Sequence, residues 1–180
     1  MKDIYIAGIA MTVFGRHPNR SLEDLAGEAL NGALKDAGCS VKDLGVSYYA
    51  GMTNGPLQGQ ISIPGQVVFS KIGVESIPVY NVENACASGS SAVNLAVQSL
   101  RAGTCDVALA LGVEKMNIPD KVKAMSIFEA GWDVSRADEN FENLRRMGEG
   151  VAIPPGSESD KPYSRFMSIY AGLCRYHMKA

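Results

Sequence analysis

Asn81-Val82-Glu83-Asn84-Ala85-Cys86-Ala87-Ser88-Gly89-Ser90-Ser91-Ala92 is the stretch on which the fold turns. It leaves an apolar segment opened by Pro78 and enters a span that carries no charge from Asn84 to Leu100, before Arg101 ends it. An uncharged span of that length predicts a helix buried on nearly every side. It is too short and too rich in Ser, Asn and Gln to cross a membrane, where about 20 apolar residues are needed. Cys86 then falls at a helix N-terminus, where unpaired first-turn N–H groups and the positive end of the macrodipole favour negative charge. The small neighbours Ala85, Ala87, Ser88, Gly89 and Ala92 leave room for close approach to the sulfur. The plainer reading is a small buried hydrophobe, the commonest fate of a free cysteine.

Working outward, Ile77-Pro78-Val79-Tyr80-Asn81 reads as the strand that delivers Cys86, and Pro78 confines it to a strand start or a sheet edge. Residues 64–71 predict a short helix before it, stopped by Gly73. After the uncharged helix, residues 105–113 form a continuous apolar run of the kind buried on both faces of a sheet. Upstream, Ser21 caps a helix whose first turn holds Glu23 and Asp24. Its apolar stripe runs through Leu22, Leu25, Ala26, Ala29, Leu30, Ala33, Leu34 and Ala37, and Gly38 ends it. Residues 4–9 predict a buried strand and residues 46–50 another. Residues 51–59 read as a Gly-rich loop turning at Asn54-Gly55-Pro56, without the spacing of a nucleotide loop. Strands alternating with helices predict a layered α/β unit.

The 180 residues, 46% hydrophobic and 20% charged, suffice for a packed core, and a net charge of −2 offers no field for nucleic acid or an anionic membrane. Four cysteines at 39, 86, 105 and 174 show neither a CxxC nor a metal spacing, and no signal-peptide pattern opens the sequence. Reduced thiols and a cytoplasmic location are expected. From Asn117 the texture changes: late charges cluster, Trp132 appears, residues 141–147 are weakly amphipathic, and Pro154-Pro155-Gly156 breaks the pattern. Residues 163–180 predict a helix, with Phe166, Ile169, Tyr170 and Leu173 at helical spacing. Cys174 and His177 make too few ligands for a metal site, so Cys174 is expected to face the core and His177 the solvent. His17, beside Pro18, reads as a solvated loop residue.

Cys86-Ala87-Ser88-Gly89-Ser90-Ser91-Ala92, the helix to Gly103, and Asp106-Val107-Ala108-Leu109-Ala110-Leu111-Gly112-Val113-Glu114-Lys115-Met116 together resemble the N-terminal half of a thiolase. The strand closed by Gly-Val-Glu-Lys-Met is the more specific signal, since Cys-x-Ser-Gly alone is also similar to ketoacyl synthases. Closest are the sterol-carrier or lipid-transfer thiolases, which are acetyl-CoA acetyltransferase-like. The resemblance covers residues 3 to about 116 well and the remainder loosely.

That resemblance implies a thiolase-like layered fold in residues 1–116, with a mixed sheet and a buried central helix, and an inserted loop or lid region in residues 117–180. It implies a Cys86 thioester in the cleavage or Claisen condensation of a 3-oxoacyl-CoA, with no permanently bound cofactor and coenzyme A as co-substrate. The expected partners are the acyl-CoA, a homodimeric mate paired through the strand around Val79, and an accessory subunit. A family histidine, an acid/base cysteine and an Asn-containing oxyanion site belong to a second half absent from these 180 residues, so the chain alone is expected to be inactive. Lys121, Lys123, Arg136, Arg145 and Arg146 could meet coenzyme A phosphates or form solvated helix faces, so no coenzyme-contacting position is assigned. A non-catalytic acyl-CoA-binding or scaffold subunit and a thiolase-like aldolase stay open as alternatives.

Overall fold

The computed structural model describes residues 3–152, 155–156 and 165–179. It divides into two compact units, residues 1–124 and 125–180, so residues 117–124 group with the first. The helix predicted from Ser21 is α1, Leu22–Ala37. Ser21 Oγ accepts from the Asp24 N–H at 3.1 Å while the Asp24 carboxylate accepts from the Ser21 N–H at 2.8 Å, a reciprocal cap. At the other end Gly38 takes φ +66° and returns its N–H to the Leu34 and Lys35 carbonyls.

Three strands follow: β1 (Val46–Ala50), β2 (Val79–Val82) and β3 (Ala108–Gly112), in the order β2-β1-β3. Both pairings are parallel, with Tyr48 opposite Tyr80 on one side and Ala110 on the other. A mixed sheet was the expectation. Among the described residues no antiparallel pair forms, because each strand reaches the next through helix: α2 (Asn54–Gln58) and α3 (Pro64–Lys71) between β1 and β2, and α4 (Ser88–Ala102) between β2 and β3.

Because successive strand side chains point to opposite faces, β1 feeds two cores. Tyr49 meets Leu25, Leu30, Val68 and Phe69 on the face covered by α1 and α3, its ring edge-on to Phe69 at 5.7 Å. Val46, Tyr48 and Ala50 join Ala92 and Ala96 of α4 on the other. Tyr48 also stacks on Tyr80 at 5.4 Å and shares a hydrogen bond with Ser99 at 2.6 Å, tying α4 to the sheet. Each large apolar side chain buried here contributes about 1.5–3 kcal/mol.

Two expectations fail in instructive ways. Residues 4–9 are not a buried strand: they take no regular structure and find no ladder partner among the described residues, and Tyr5 and Ile6 are each 80% exposed. Asp36 of α1 accepts the Ile9 N–H at 2.9 Å, and Gly8 lies so close to Ala33 and Ala37 that a side chain there would collide with them. The small residues of α1 thus hold the segment's backbone against the helix and leave its apolar side chains outward. Nor is α4 the buried central helix: Ser88, Ala92 and Ala96 are buried, but Gly89, Ser90, Val93 and Asn94 are exposed. Lack of charge reported which faces avoid ions, not which are covered.

The strand predicted over 105–113 shortens to 108–112, and the loop 51–59 contains α2 in place of a simple turn. Helix α5 (Lys121–Ser126) spans the division between the units. In the second unit, α6 (Ala137–Met147) packs on α7 (Arg165–Met178), with Gly172 against the Leu144 carbonyl. Phe128, Phe166 and Tyr170 form an aromatic run with centroids 4.9 and 5.0 Å apart. Ile169 and Gly172 are buried on α7, and Cys174 is exposed rather than core-facing, as is His177. Pro154 and residues 157–164 lie outside the described residues.

Candidate functional site

Two loops leave the sheet side by side at the C-terminal ends of β1 and β2, tied by the Gly51 N–H to the Val82 carbonyl at 3.2 Å. The β2 exit carries Cys86. After buried Val82 the chain passes Glu83 and Asn84, makes a single 3-10 turn over Ala85–Ala87, and becomes α4 at Ser88. Glu83 Oε1 accepts the Ala85 N–H at 2.7 Å. The Asn84 N–H donates to Ser88 Oγ at 2.9 Å, and that hydroxyl donates to the Ala85 carbonyl at 2.7 Å. Asn84 Nδ2 donates to Ser91 Oγ at 2.9 Å.

This lattice holds Ala85 at φ +47°, a left-handed conformation that costs a residue with a Cβ roughly 1–3 kcal/mol. Buried Ser88 is the peg that fixes it. Cys86, next in the chain, is exposed. Ala87 precedes α4 without a side-chain cap, and the 3-10 turn before it takes the Ala87 N–H to the Asn84 carbonyl and the Ser88 N–H to the Ala85 carbonyl. An accessible thiol therefore sits at an uncapped helix mouth, in a backbone bend that its neighbours enforce.

The β1 exit is organised from a distance. Glu114, just past β3, accepts the Met52 N–H at 2.7 Å and the Thr53 N–H at 3.3 Å through Oε1. Asn54 Nδ2 donates to the Tyr49 hydroxyl at 2.7 Å, which donates to the Val113 carbonyl at 3.3 Å. Burial pushes the Tyr49 phenol up to about 12, so it stays a neutral donor at physiological pH. Gln58 Nε2 bonds the Lys115 carbonyl, and Lys115 Nζ reaches the Pro18 and Arg20 carbonyls. The Gly-Val-Glu-Lys-Met segment is thus a clamp on this loop, a role that composition and spacing did not reveal. Thr53 Oγ1 and Asn54 Oδ1 remain buried without a partner beside it.

Between the two exits lies an open cleft of 540 Å³, bounded by the 51–64 loop and by Asn81, Val82 and Glu83. Asn81 shapes its floor, its Oδ1 accepting the Gly65 N–H at 2.7 Å and its Nδ2 donating to Gln66. Only glycine fits at 65, since a Cβ there would lie 2.6 Å from Tyr49 Cβ.

The remaining candidates disperse. Cys39 and Cys105 are half-buried, and His17 Nε2 is spent on the Val13 carbonyl at 2.9 Å. Arg136 pairs with Glu139, and Arg145 and Arg146 with Glu142, which makes these arginines members of solvated helix faces. Lys121 bonds Asn117 and the Ile118 carbonyl, while Lys123 reaches the Leu57 carbonyl. Among the described residues no group of three His, Cys, Asp or Glu could hold a metal, and no helix is long and apolar enough to cross a membrane.

Comparison with known proteins shows the family and the fold. The family model for the thiolase N-terminal domain matches residues 4–147. An acetyl-CoA acetyltransferase from Methanothermobacter thermautotrophicus is 30% identical over 179 residues, covering 99% of this chain and 40% of that protein. The non-specific lipid-transfer protein-like 2 of Caenorhabditis elegans is 34% identical over 116 residues, covering 63% of this chain and 27% of its own length. The chain therefore spans two fifths or less of these relatives. The solved acyltransferase ChlB3 shares the fold, with a TM-score of 0.50 at 18% identity over 92% of this chain and 53% of its own.

Proposed function

Because the chain belongs to the thiolase family, we propose that it serves thiolase-type acyl transfer on 3-oxoacyl-CoA, with Cys86 as the nucleophile. The observation that carries this reading is the exposed Cys86 thiol at the uncapped mouth of α4. In the cleavage direction the Cys86 thiolate adds to the 3-oxo carbonyl, and the bond between C2 and C3 breaks. Its electron pair leaves on the acetyl-CoA enolate, which takes a proton at carbon. The thiolate of free coenzyme A then attacks the acyl-enzyme, releasing a shortened acyl-CoA and regenerating Cys86. Condensation is the reverse.

In this reading the backbone N–H of Cys86, at the turn that opens α4, stabilises the thioester oxyanion. Coenzyme A enters as co-substrate. The outer edge of β2, unpaired among the described residues, supports a homodimer formed across that strand.

Iodoacetamide at neutral pH should label Cys86 ahead of half-buried Cys39 and Cys105 and ahead of Cys174, which is exposed but has no small-residue helix mouth around it, and acyl-CoA should protect it. With the second thiolase half present, Cys86→Ser should lower acyl transfer on the order of a thousandfold or more while circular dichroism stays unchanged. Retained carbon–carbon cleavage in that variant would favour an aldolase. Neither labelling nor turnover would leave a binding or scaffold subunit.

A further inference from the structure

We infer that the cleft between the 51–64 loop and the end of β2 receives the apolar tail of the acyl group handled at Cys86, and that Ile61 and Ile63 set the tail length accepted. The inference rests on the reading of Cys86 as the acyl carrier. Three observations support it.

The first is position: Val82 and Glu83 line the cleft, and Cys86 is three residues on. Three residues span at most roughly 11 Å, a gap that a medium-length acyl chain on the sulfur can cross. The second is lining. Met52, Pro56, Ile61, Ile63, Pro64 and Val82 supply an apolar wall. The polar side chains beside them are turned to the protein itself: Asn81 to Gly65 and Gln66, Gln60 to the Ser62 carbonyl, Glu83 to the Ala85 N–H. Asn54 turns its Nδ2 to the Tyr49 hydroxyl and keeps its Oδ1 buried. The third is charge and size. Glu83 is the one charged residue among the described lining residues, and it is acidic, which opposes the phosphates of coenzyme A and leaves a neutral chain as the fitting occupant. At 540 Å³ the space falls within the roughly 300–1,000 Å³ of small-molecule sites. Ile61 and Ile63 stand exposed toward solvent where the cleft is open, an apolar surface that a bound chain would cover.

The experiment measures protection of Cys86 from iodoacetamide by a series of saturated acyl-CoAs, from acetyl to octanoyl. Each added methylene should tighten protection about fourfold until the cleft is full. In Ile61→Trp, which fills the cleft, that length dependence should vanish. A hexanoyl-CoA with a terminal diazirine, photolysed on the unsubstituted protein, should label a peptide from residues 51–64, and this arm decides the matter if the variant fails to fold. Protection by acetyl-CoA that does not improve with length, or label landing elsewhere, overturns the tail cleft and leaves the Cys86 reading standing. So does an Ile61→Trp that alters the sedimentation coefficient but not the length dependence, which would make the cleft an interface between copies. Absence of protection by every acyl-CoA, acetyl included, overturns both.

Discussion

The exits of β1 and β2 begin one strand apart, at the same end of the sheet, yet they are held by opposite means. Beyond β1, the loop's shape comes from residues some sixty positions away: Glu114 takes the Met52 and Thr53 N–H groups, and Tyr49 passes a hydrogen bond from Asn54 to Val113. Beyond β2, every bond that shapes the Cys86 turn comes from within seven residues, through Glu83, Asn84, Ser88 and Ser91. A wall of the cleft is therefore as stable as the sheet behind it, whereas the thiol sits on a self-contained bend that stores strain at Ala85. Long-range fixing gives shape to a binding surface; local fixing sets the angle of one reactive group.

Substitutions can break that contrast. The largest effect is expected from Glu114→Ala, which strips a charged acceptor from two backbone donors and should cost about 1.5–3 kcal/mol in chemical denaturation. Its mark beyond stability should be faster hydrogen exchange at Met52 and Thr53 with unchanged exchange along residues 84–88. Equal loosening of both exits would show that the two are one unit.

Ala85→Gly should move the other side alone. Glycine accepts φ +47° freely but costs about 0.5–1 kcal/mol more in conformational freedom, so the net change in stability should lie within about 1 kcal/mol of zero. Cys86 alkylation should nevertheless slow, because the bend is no longer enforced. Unchanged alkylation would mean that strain at Ala85 does not set the thiol's presentation.

The smallest expected effect lies away from both exits and calibrates them. The Lys71 ammonium, 2.6 Å from Glu23, holds that carboxyl below its ordinary value, and the Ser21 N–H does the same for Asp24. Groups depressed in the folded state stabilise it above their unfolded pKa values, near 4, and lose that contribution as pH falls through the folded values. Glu23→Gln should therefore cost about 0.2–1 kcal/mol at pH 7 and nothing at pH 2, read from denaturation midpoints. A constant difference across that range would show that the pair contributes through packing rather than charge.

How much of this was legible beforehand follows the same division between local and distant causes. Ser21, Asp24 and Gly38 announce the ends of α1 because each cap is closed by residues within four positions, and α1 begins and ends where they say. Pro78 marked a strand start or an edge, since a residue without an N–H cannot continue an inner ladder, and it stands just before β2, an edge strand among the described residues. Cys86 at a helix mouth was legible because small residues and an uncharged span are themselves local features.

What the tertiary structure alone decided is everything that needs two distant segments brought together. Apolar character in residues 4–9 says that a strand is possible there, but whether it finds an edge depends on neighbours, and here α1 takes its backbone through Asp36 and Gly8. The uncharged helix could not say which of its faces would be covered; the register of β1 and β2 puts Ala92 and Ala96 inward and leaves Val93 and Asn94 in solvent. Glu114 read as part of a pattern and became a clamp only when parallel pairing set the end of β3 beside the end of β1, Gly112 opposite Ala50. Periodicity and caps are written over three or four residues, whereas register is a choice among strands far apart in sequence, made by the packing of both sheet faces at once.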